Sequence, residues 1–231
     1  MTHDQTPRLA TVTIEGTGRN LLDPTSMARL VDGLRAADDD RSVSGIVLTG
    51  AGDVFCGGLD VGALRAGADP VEFATALVAL LKIFPLLTKP VVAQVNGDAV
   101  ASGASIVAAC DYAVAVPTAL IGTYEVSVGI WPMVAQVPLI KRLGVRAAME
   151  NIGAGEPFTA QRAQEIGLIN RVVEPGELAT SAEGWLQNAA RAGGAVAAGR
   201  PSAHVLEQLP YAEALDRSLE MFAAMFAEGS R

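Results

Sequence analysis

The sequence predicts an α/β fold, on three observations. Short apolar runs bounded by Gly and Pro recur along its first half. Segments with apolar residues at helical spacing separate those runs. The chain has 231 residues, 50% hydrophobic and only 18% charged, which is enough for one substantial domain with a large buried core or subunit contacts. Residues 9–15 alternate apolar and polar and read as a strand. Asp23-Pro24-Thr25-Ser26 reads as a helix start, and Met27, Leu30, Val31 and Leu34 share one face of a helix over residues 27–38. The acidic run Asp38-Asp39-Asp40 closes it. Residues 45–49 are continuously apolar, as expected of a strand buried on both faces of a parallel sheet. Asp69-Pro70 opens a helix through Ile83, with Phe73, Leu77, Leu80 and Leu81 on one face. Residues 90–95 and 112–116 read as the next strands. Strands alternating with helices in this order are the α/β pattern.

After Pro138 the character becomes helical. Residues 138–143, 147–152 and 159–166 read as short helices, and 178–191 and 210–227 as longer ones. The Ala/Gly-rich stretch 189–199 reads as a loop between the last helices. Residues 1–175 are expected to form the core that carries the site, and 176–231 a helical region of the same domain, used in subunit packing.

Composition narrows the function. The net charge of −8 disfavours nucleic acid, which needs clustered Lys and Arg. Residues 90–140 contain no Lys or Arg, yet Asn96, Asp98, Asp111 and several Gly and Pro break them into pieces too short to span a membrane. Cys56 and Cys110 are the only cysteines, and residues 1–10 are polar, without the apolar core of a signal peptide. Both point to a reducing cytoplasm. No residues have metal-ligand spacing, and no phosphate-binding or dinucleotide loop occurs.

The chemistry is concentrated in two glycine-bearing segments and one carboxylate. Phe55-Cys56-Gly57-Gly58-Leu59-Asp60 follows the apolar run at 45–49. Val95-Asn96-Gly97-Asp98-Ala99-Val100-Ala101-Ser102-Gly103-Ala104-Ser105 follows the run at 90–93. Each reads as a strand entering a tight turn and then a helix, so each is expected to aim free backbone N–H groups at one spot. Two such donors make an oxyanion hole for a reacting carbonyl. Glu125 is the only carboxylate between Asp111 and Glu150, flanked by Ile121, Val126, Val128, Ile130 and Trp131. Burial there would raise its pKa and suit it to proton transfer. Taken singly, the first segment reads as an ordinary strand–helix turn and Glu125 as a solvated loop residue. Together they suggest an enzyme that forms an enolate from an acyl group. Asp98 and Asp111 read as turn formers, and Cys56 as a packed thiol. A Ser105–His204–Asp triad would require His204 to sit far from its own helical region.

These residues resemble the enoyl-CoA hydratase/isomerase (crotonase) superfamily over nearly the whole chain. The resemblance is carried by Ile46-Val47-Leu48-Thr49-Gly50, the segment 55–60, and Lys89-Pro90-Val91-Val92-Ala93-Gln94-Val95-Asn96-Gly97. It continues through Ala109-Cys110-Asp111, Glu125 with Gly129 and Pro132, and Phe158-Thr159-Ala160 leading to Gly167-Leu168-Ile169. It implies a spiral of ββα repeats with a helical C-terminal region, assembled as a homotrimer or a dimer of trimers. It implies acyl-CoA thioester substrates, with no cofactor beyond the CoA of the substrate and no metal. By position, the oxyanion donors fall on the backbone N–H groups of Leu59 and Ser102, and Leu59-Asp60-Val61-Gly62 line the pantetheine channel. Glu125 falls on a family catalytic glutamate.

Three departures accompany the resemblance. The second glutamate of the family's hydratases falls on Ser105, which can hold a water but cannot act as a base. The glycine triplet around the second donor reads Ala101-Ser102-Gly103. The final family helix, which helps cover the acyl-CoA and pack subunits, would fall beyond Arg231. One carboxylate favours double-bond isomerisation with Glu125 as the single acid/base. Hydration with a Ser105-held water, and a non-catalytic acyl-CoA-binding subunit, are the alternatives. Arg19, Arg29 and Arg65 are the candidates for the CoA phosphates.

Overall fold

The computed structural model describes residues 7–192 and 194–227; His3 lies outside them. In chain order the first half forms β1 (Arg8–Ile14), α1 (Pro24–Asp39), β2 (Val43–Gly50), α2 (Val61–Arg65) and α3 (Pro70–Ile83). Then come β3 (Val91–Val95), β4 (Ala99–Val100), α4 (Ser102–Ala109), β5 (Tyr112–Ala115) and β6 (Leu120–Gly122). The second half forms α5 (Gln136–Ile152), β7 (Phe158–Thr159), α6 (Ala160–Glu165), β8 (Arg171–Val172), α7 (Leu178–Ala190), α8 (Gly194–Leu206) and α9 (Tyr211–Met225).

Five strands make a parallel sheet in the order β1-β2-β3-β5-β8. The side-chain period of two sorts its residues between two faces. Ile46, Leu48, Val91, Ala93 and Val95 enter the main core, where α1 and α3 pack, while Val47 and Val92 meet Ala182 and Leu186 of α7 on the opposite face. Tyr112 stacks on Trp185 there, with ring centroids 4.9 Å apart. Cover on both faces is why these strands read as unbroken apolar runs.

Local signals set the helix starts. Asp23 accepts the Ser26 N–H at 2.7 Å and Ser26 Oγ accepts the Asp23 N–H at 2.9 Å, a reciprocal cap with Pro24 in the first turn. At the other end of α1, Lys89 Nζ donates to the carbonyls of Ala37, Asp38 and Asp40, groups at a helix end without an intrahelical partner. The expected helix over 70–83 is α3, capped by Asp69.

Two expectations are corrected. A second sheet, β4-β6-β7, is absent from the sequence reading. The two short helices expected over 138–143 and 147–152 are the two parts of α5, separated by a non-helical Gly144 whose φ of 74° is open to glycine. The stretch taken for a loop over 189–199 is largely helix, because α8 begins at Gly194; Gly193 lies outside the described residues. After the first glycine-bearing segment, Asp60 caps the five-residue α2 by accepting the Ala63 N–H, so Leu59 is a loop residue before the cap. Among the described residues no helix is long and apolar enough to cross a membrane.

Candidate active site

The two glycine-bearing segments are joined backbone to backbone. The amides of Phe55 and Cys56 donate to the Asp98 carbonyl at 3.1 and 3.0 Å, and the Val100 amide donates to the Cys56 carbonyl at 2.9 Å. Asn96 ties the same turn to the end of β2: its side chain donates to the carbonyls of Gly50 and Gly52 and accepts the Gly50 N–H. Two glycines permit this closeness. A Cβ on Gly58, which also has a φ of +101°, would lie 2.8 Å from the Ala101 Cβ, and one on Gly103 would lie 2.5 Å from the Cys56 carbonyl oxygen. Any side chain at either position would push the segments apart.

That junction brings the two expected donors onto neighbouring turns. The Leu59 N–H meets no acceptor among the described residues, although its neighbours are engaged: Gly58 accepts from Leu22 and Asp60 donates to the Leu22 carbonyl. The Ser102 N–H, first in α4, is likewise without an acceptor among the described residues. Ala101, just before it, has φ 52° and ψ −120°, a glycine-type conformation in a residue with a Cβ. Strain of this kind is held by its surroundings: the Ala101 amide donates to the Gly122 carbonyl at 2.9 Å, and the side chain is packed in the core.

Glu125 follows β6 of the small sheet in the chain. β4 pairs with β6 in parallel, Ala99 opposite Ile121 and Val100 opposite Gly122. Thr123, Tyr124 and Glu125 therefore leave β6 at the end where Ala101 leaves β4. Asn151 of α5 fixes the segment, accepting the Thr123 amide and hydroxyl and donating to the Thr123 carbonyl. Glu125 is half-buried at the start of a short 3-10 turn, Glu125–Val128. Burial raises its pKa above the ordinary carboxylate range, outweighing its own amide and that of Tyr124, which donates to Oε2 at 2.9 Å.

The other residues singled out from sequence fall as follows. Ser105 is fully buried and its hydroxyl donates to the Ala135 carbonyl at 2.7 Å. Asp60 accepts from Thr17 and from the Ala63 amide, which lower its pKa, while Val61 and Gly62 are exposed in the first turn of α2. Asp98 pairs with Arg19 at 2.6 Å and accepts the Leu120 amide. Asp111 accepts the Val91 amide and Arg200 Nε, both at 2.7 Å, with His204 at 3.6 Å. His204 thus accompanies Asp111, and Ser105 bonds elsewhere. Cys56 is buried, and desolvation pushes its thiol up to about 11 against the pull of the Gly58 amide and the Ser102 hydroxyl, so it is a packed thiol. Arg29 and Arg65 are exposed.

Tyr124 was not singled out from sequence. It is half-buried, its hydroxyl bonds no described residue, and burial, followed by the Glu125 carboxylate, raises its phenol pKa. Its adjacency to Glu125 was the available signal. A groove of about 750 Å³ lies at the opposite end of α4, lined among others by Leu81, Ala108, Met133 and Val134. None of Leu59, Ser102 and Glu125 lines it.

The family model described as enoyl-CoA hydratase/isomerase matches residues 5–231. A short-chain-enoyl-CoA hydratase of Clostridium acetobutylicum is 35% identical over 151 residues, which are 63% of this chain and 58% of that protein. The peroxisomal bifunctional enzyme of Cavia porcellus is 33% identical over 168 residues, 71% of this chain but only 23% of the longer protein. The crystal structure of an enoyl-CoA hydratase of Mycobacterium smegmatis superimposes with a TM-score of 0.87 at 29% identity, covering 96% of this chain and 89% of that one.

Proposed function

Because the chain belongs to the enoyl-CoA hydratase/isomerase family, we propose that it binds acyl-CoA thioesters and moves a double bond in them through an enolate. The thioester carbonyl is held between the N–H groups of Leu59 and Ser102. Each such donor contributes about 3 kcal/mol at the transition state. Glu125 removes a proton from the α carbon of a 3-enoyl-CoA, and the negative charge moves onto the carbonyl oxygen. The same carboxyl group returns the proton at the γ carbon, leaving the 2-enoyl-CoA. Asp60, Val61 and Gly62 line the path of the pantetheine arm. The chemistry needs no metal and no cofactor beyond the CoA of the substrate. The protein works as a homotrimer or dimer of trimers, and its two buried free cysteines suit a cytoplasmic setting.

The observation that carries the isomerase assignment is the hydrogen bond from Ser105 to Ala135. It engages the one hydroxyl at the position of the family's second carboxylate, leaving Glu125 as the acid/base. Hydration of a 2-enoyl-CoA is the second reading, favoured by the names of the matched relatives, which are mostly hydratases. Water would then be held by Glu125 with the free lone pairs of Ser105.

The test is turnover of 3-enoyl-, 2-enoyl- and 3-hydroxyacyl-CoA esters by wild type and Glu125→Gln, read by the absorbance of the conjugated thioester. Isomerisation by wild type should fall roughly a hundred- to ten-thousand-fold in the variant while CoA-ester binding is retained. Hydration without isomerisation selects the second reading. Binding without any turnover makes the protein an acyl-CoA-binding subunit.

A further inference from the structure

The groove at the far end of α4 is used by none of the residues assigned to the reaction. Leu81 of α3, Phe84 after it, Ala108 of α4 and Val134 before α5 give it an apolar lining, and α8 adds His204 and Glu207. Arg200 fixes α8 in place, donating to the Asp111 carboxylate at 2.7 Å and to the Leu87 carbonyl. The groove is therefore preformed by docked helices, and its volume of about 750 Å³ falls in the range of small-molecule sites, about 300–1,000 Å³. Ser105, midway along α4, is fully buried and bonded to Ala135, so a packed contact lies between the groove end of this helix and its Ser102 end.

The groove is basic in an acidic chain. The net charge is −8, yet Lys82, Lys141, Arg142 and His204 line the groove against a single carboxylate, Glu207. Arg142 is engaged by the carbonyls of Ala108 and Cys110, and His204 lies 3.6 Å from Asp111. The amines of Lys82 and Lys141 are exposed and have no hydrogen-bond or ion-pair partner among the described residues. We propose that this groove is a second ligand site, which takes a free medium-chain fatty acid. The alkyl chain lies on the apolar lining. The carboxylate is met by Lys82 and Lys141, whose flexible stems cover apolar surface while the amines stay in water.

Calorimetry with octanoate, decanoate and decanol, on wild type and on Lys82→Gln/Lys141→Gln, tests this. Wild type should bind one decanoate per protomer, about three- to tenfold more tightly than decanol. Affinity should rise about three- to fourfold for each methylene between octanoate and decanoate. Saturating butyryl-CoA should leave decanoate binding unchanged. The double variant should bind decanoate no better than decanol and should turn over enoyl-CoA esters as wild type does. Equal wild-type affinities for decanoate and decanol, a preference that survives in the double variant, or no binding of decanoate would overturn the site and leave the acyl-CoA reading standing. Displacement of decanoate by butyryl-CoA would place the acid in the thioester site. Displacement by decanoyl-CoA alone would make the groove the far end of that site, and either result overturns a separate site. Binding of decanoate only to a dissociated protomer in sedimentation would make a second copy of the chain the occupant instead.

Discussion

At the residue scale the site depends on unfavourable local choices held by their surroundings. Ala101 occupies a glycine-type conformation, of the kind that costs about 1–3 kcal/mol, and thereby turns the Ser102 amide out of β4 into the start of α4. Glu125 is held half-buried with its pKa raised. Its pH dependence follows from that direction. As a base it must be ionised, so kcat/KM for isomerisation should rise with pH through a midpoint above the ordinary carboxylate range, then level off. Stability should run the other way. The folded state holds this proton more tightly than the unfolded chain, so the favourable contribution is complete below the unfolded pKa and is lost as pH rises through the folded one. Glu125→Gln, which cannot ionise, should therefore melt higher than wild type at neutral pH and match it in acid. A difference in melting temperature that is the same at both pH values would show that Glu125 is not strained by burial.

At the element scale, α4 carries the second donor at one end and is secured at the other by a residue from α5. Arg142 donates to the Ala108 carbonyl through Nε and Nη2, at 3.1 and 2.8 Å, and to the Cys110 carbonyl at 2.7 Å. A cation on the final carbonyls of a helix satisfies groups that lack intrahelical partners and opposes the negative end of the dipole. Arg142→Met keeps much of the side-chain bulk and removes these donors from carbonyls of buried residues. Urea unfolding should show a loss of about 1–3 kcal/mol. An unchanged midpoint would mean that water replaces the guanidinium without penalty. This capping was not legible in the sequence: Arg142 lies 34 residues from Ala108, and nothing local links them. The caps at Asp23 and Asp69 were legible because the capping group and the amide it serves are two or three residues apart.

At the scale of the whole molecule, α9 is a helix without a core-facing side. Tyr211, Leu215, Leu219, Phe222 and Phe226 recur at spacings of three and four and are 54–81% exposed, and none of its residues is buried. Val128, Ile130, Met133 and Val137 are also exposed near α5. Apolar surface of this extent marks an association site. Sedimentation of the dilute protein should give a trimer or larger closed assembly. Phe222→Asp should shift it toward monomer while the far-ultraviolet helix signal of the protomer is retained. A wild-type monomer at every concentration would refute self-association through this surface.

The amino-acid sequence by itself determined the alternation of strands and helices, the bounds of α3, the buried parallel strands, the two glycine-bearing segments and the isolated Glu125. All of these are written in local terms: a period of 2 or 3.6, a cap within three residues, a glycine at a turn. Tertiary structure decided the rest. Strands as short as β4 and β7 have no period to read and exist because a distant partner supplies their hydrogen bonds. The pairing of Ser105 with Ala135 across 30 residues, the twist at Ala101 and the setting of Tyr124 beside Glu125 and Cys56 are likewise products of packing. The stretch at 189–199 read as a loop because Ala and Gly carry no strong apolar period. Much of it is helix, and Arg200 within α8 is anchored by the Asp111 carboxylate and the Leu87 carbonyl, partners that lie 89 and 113 residues away in the chain.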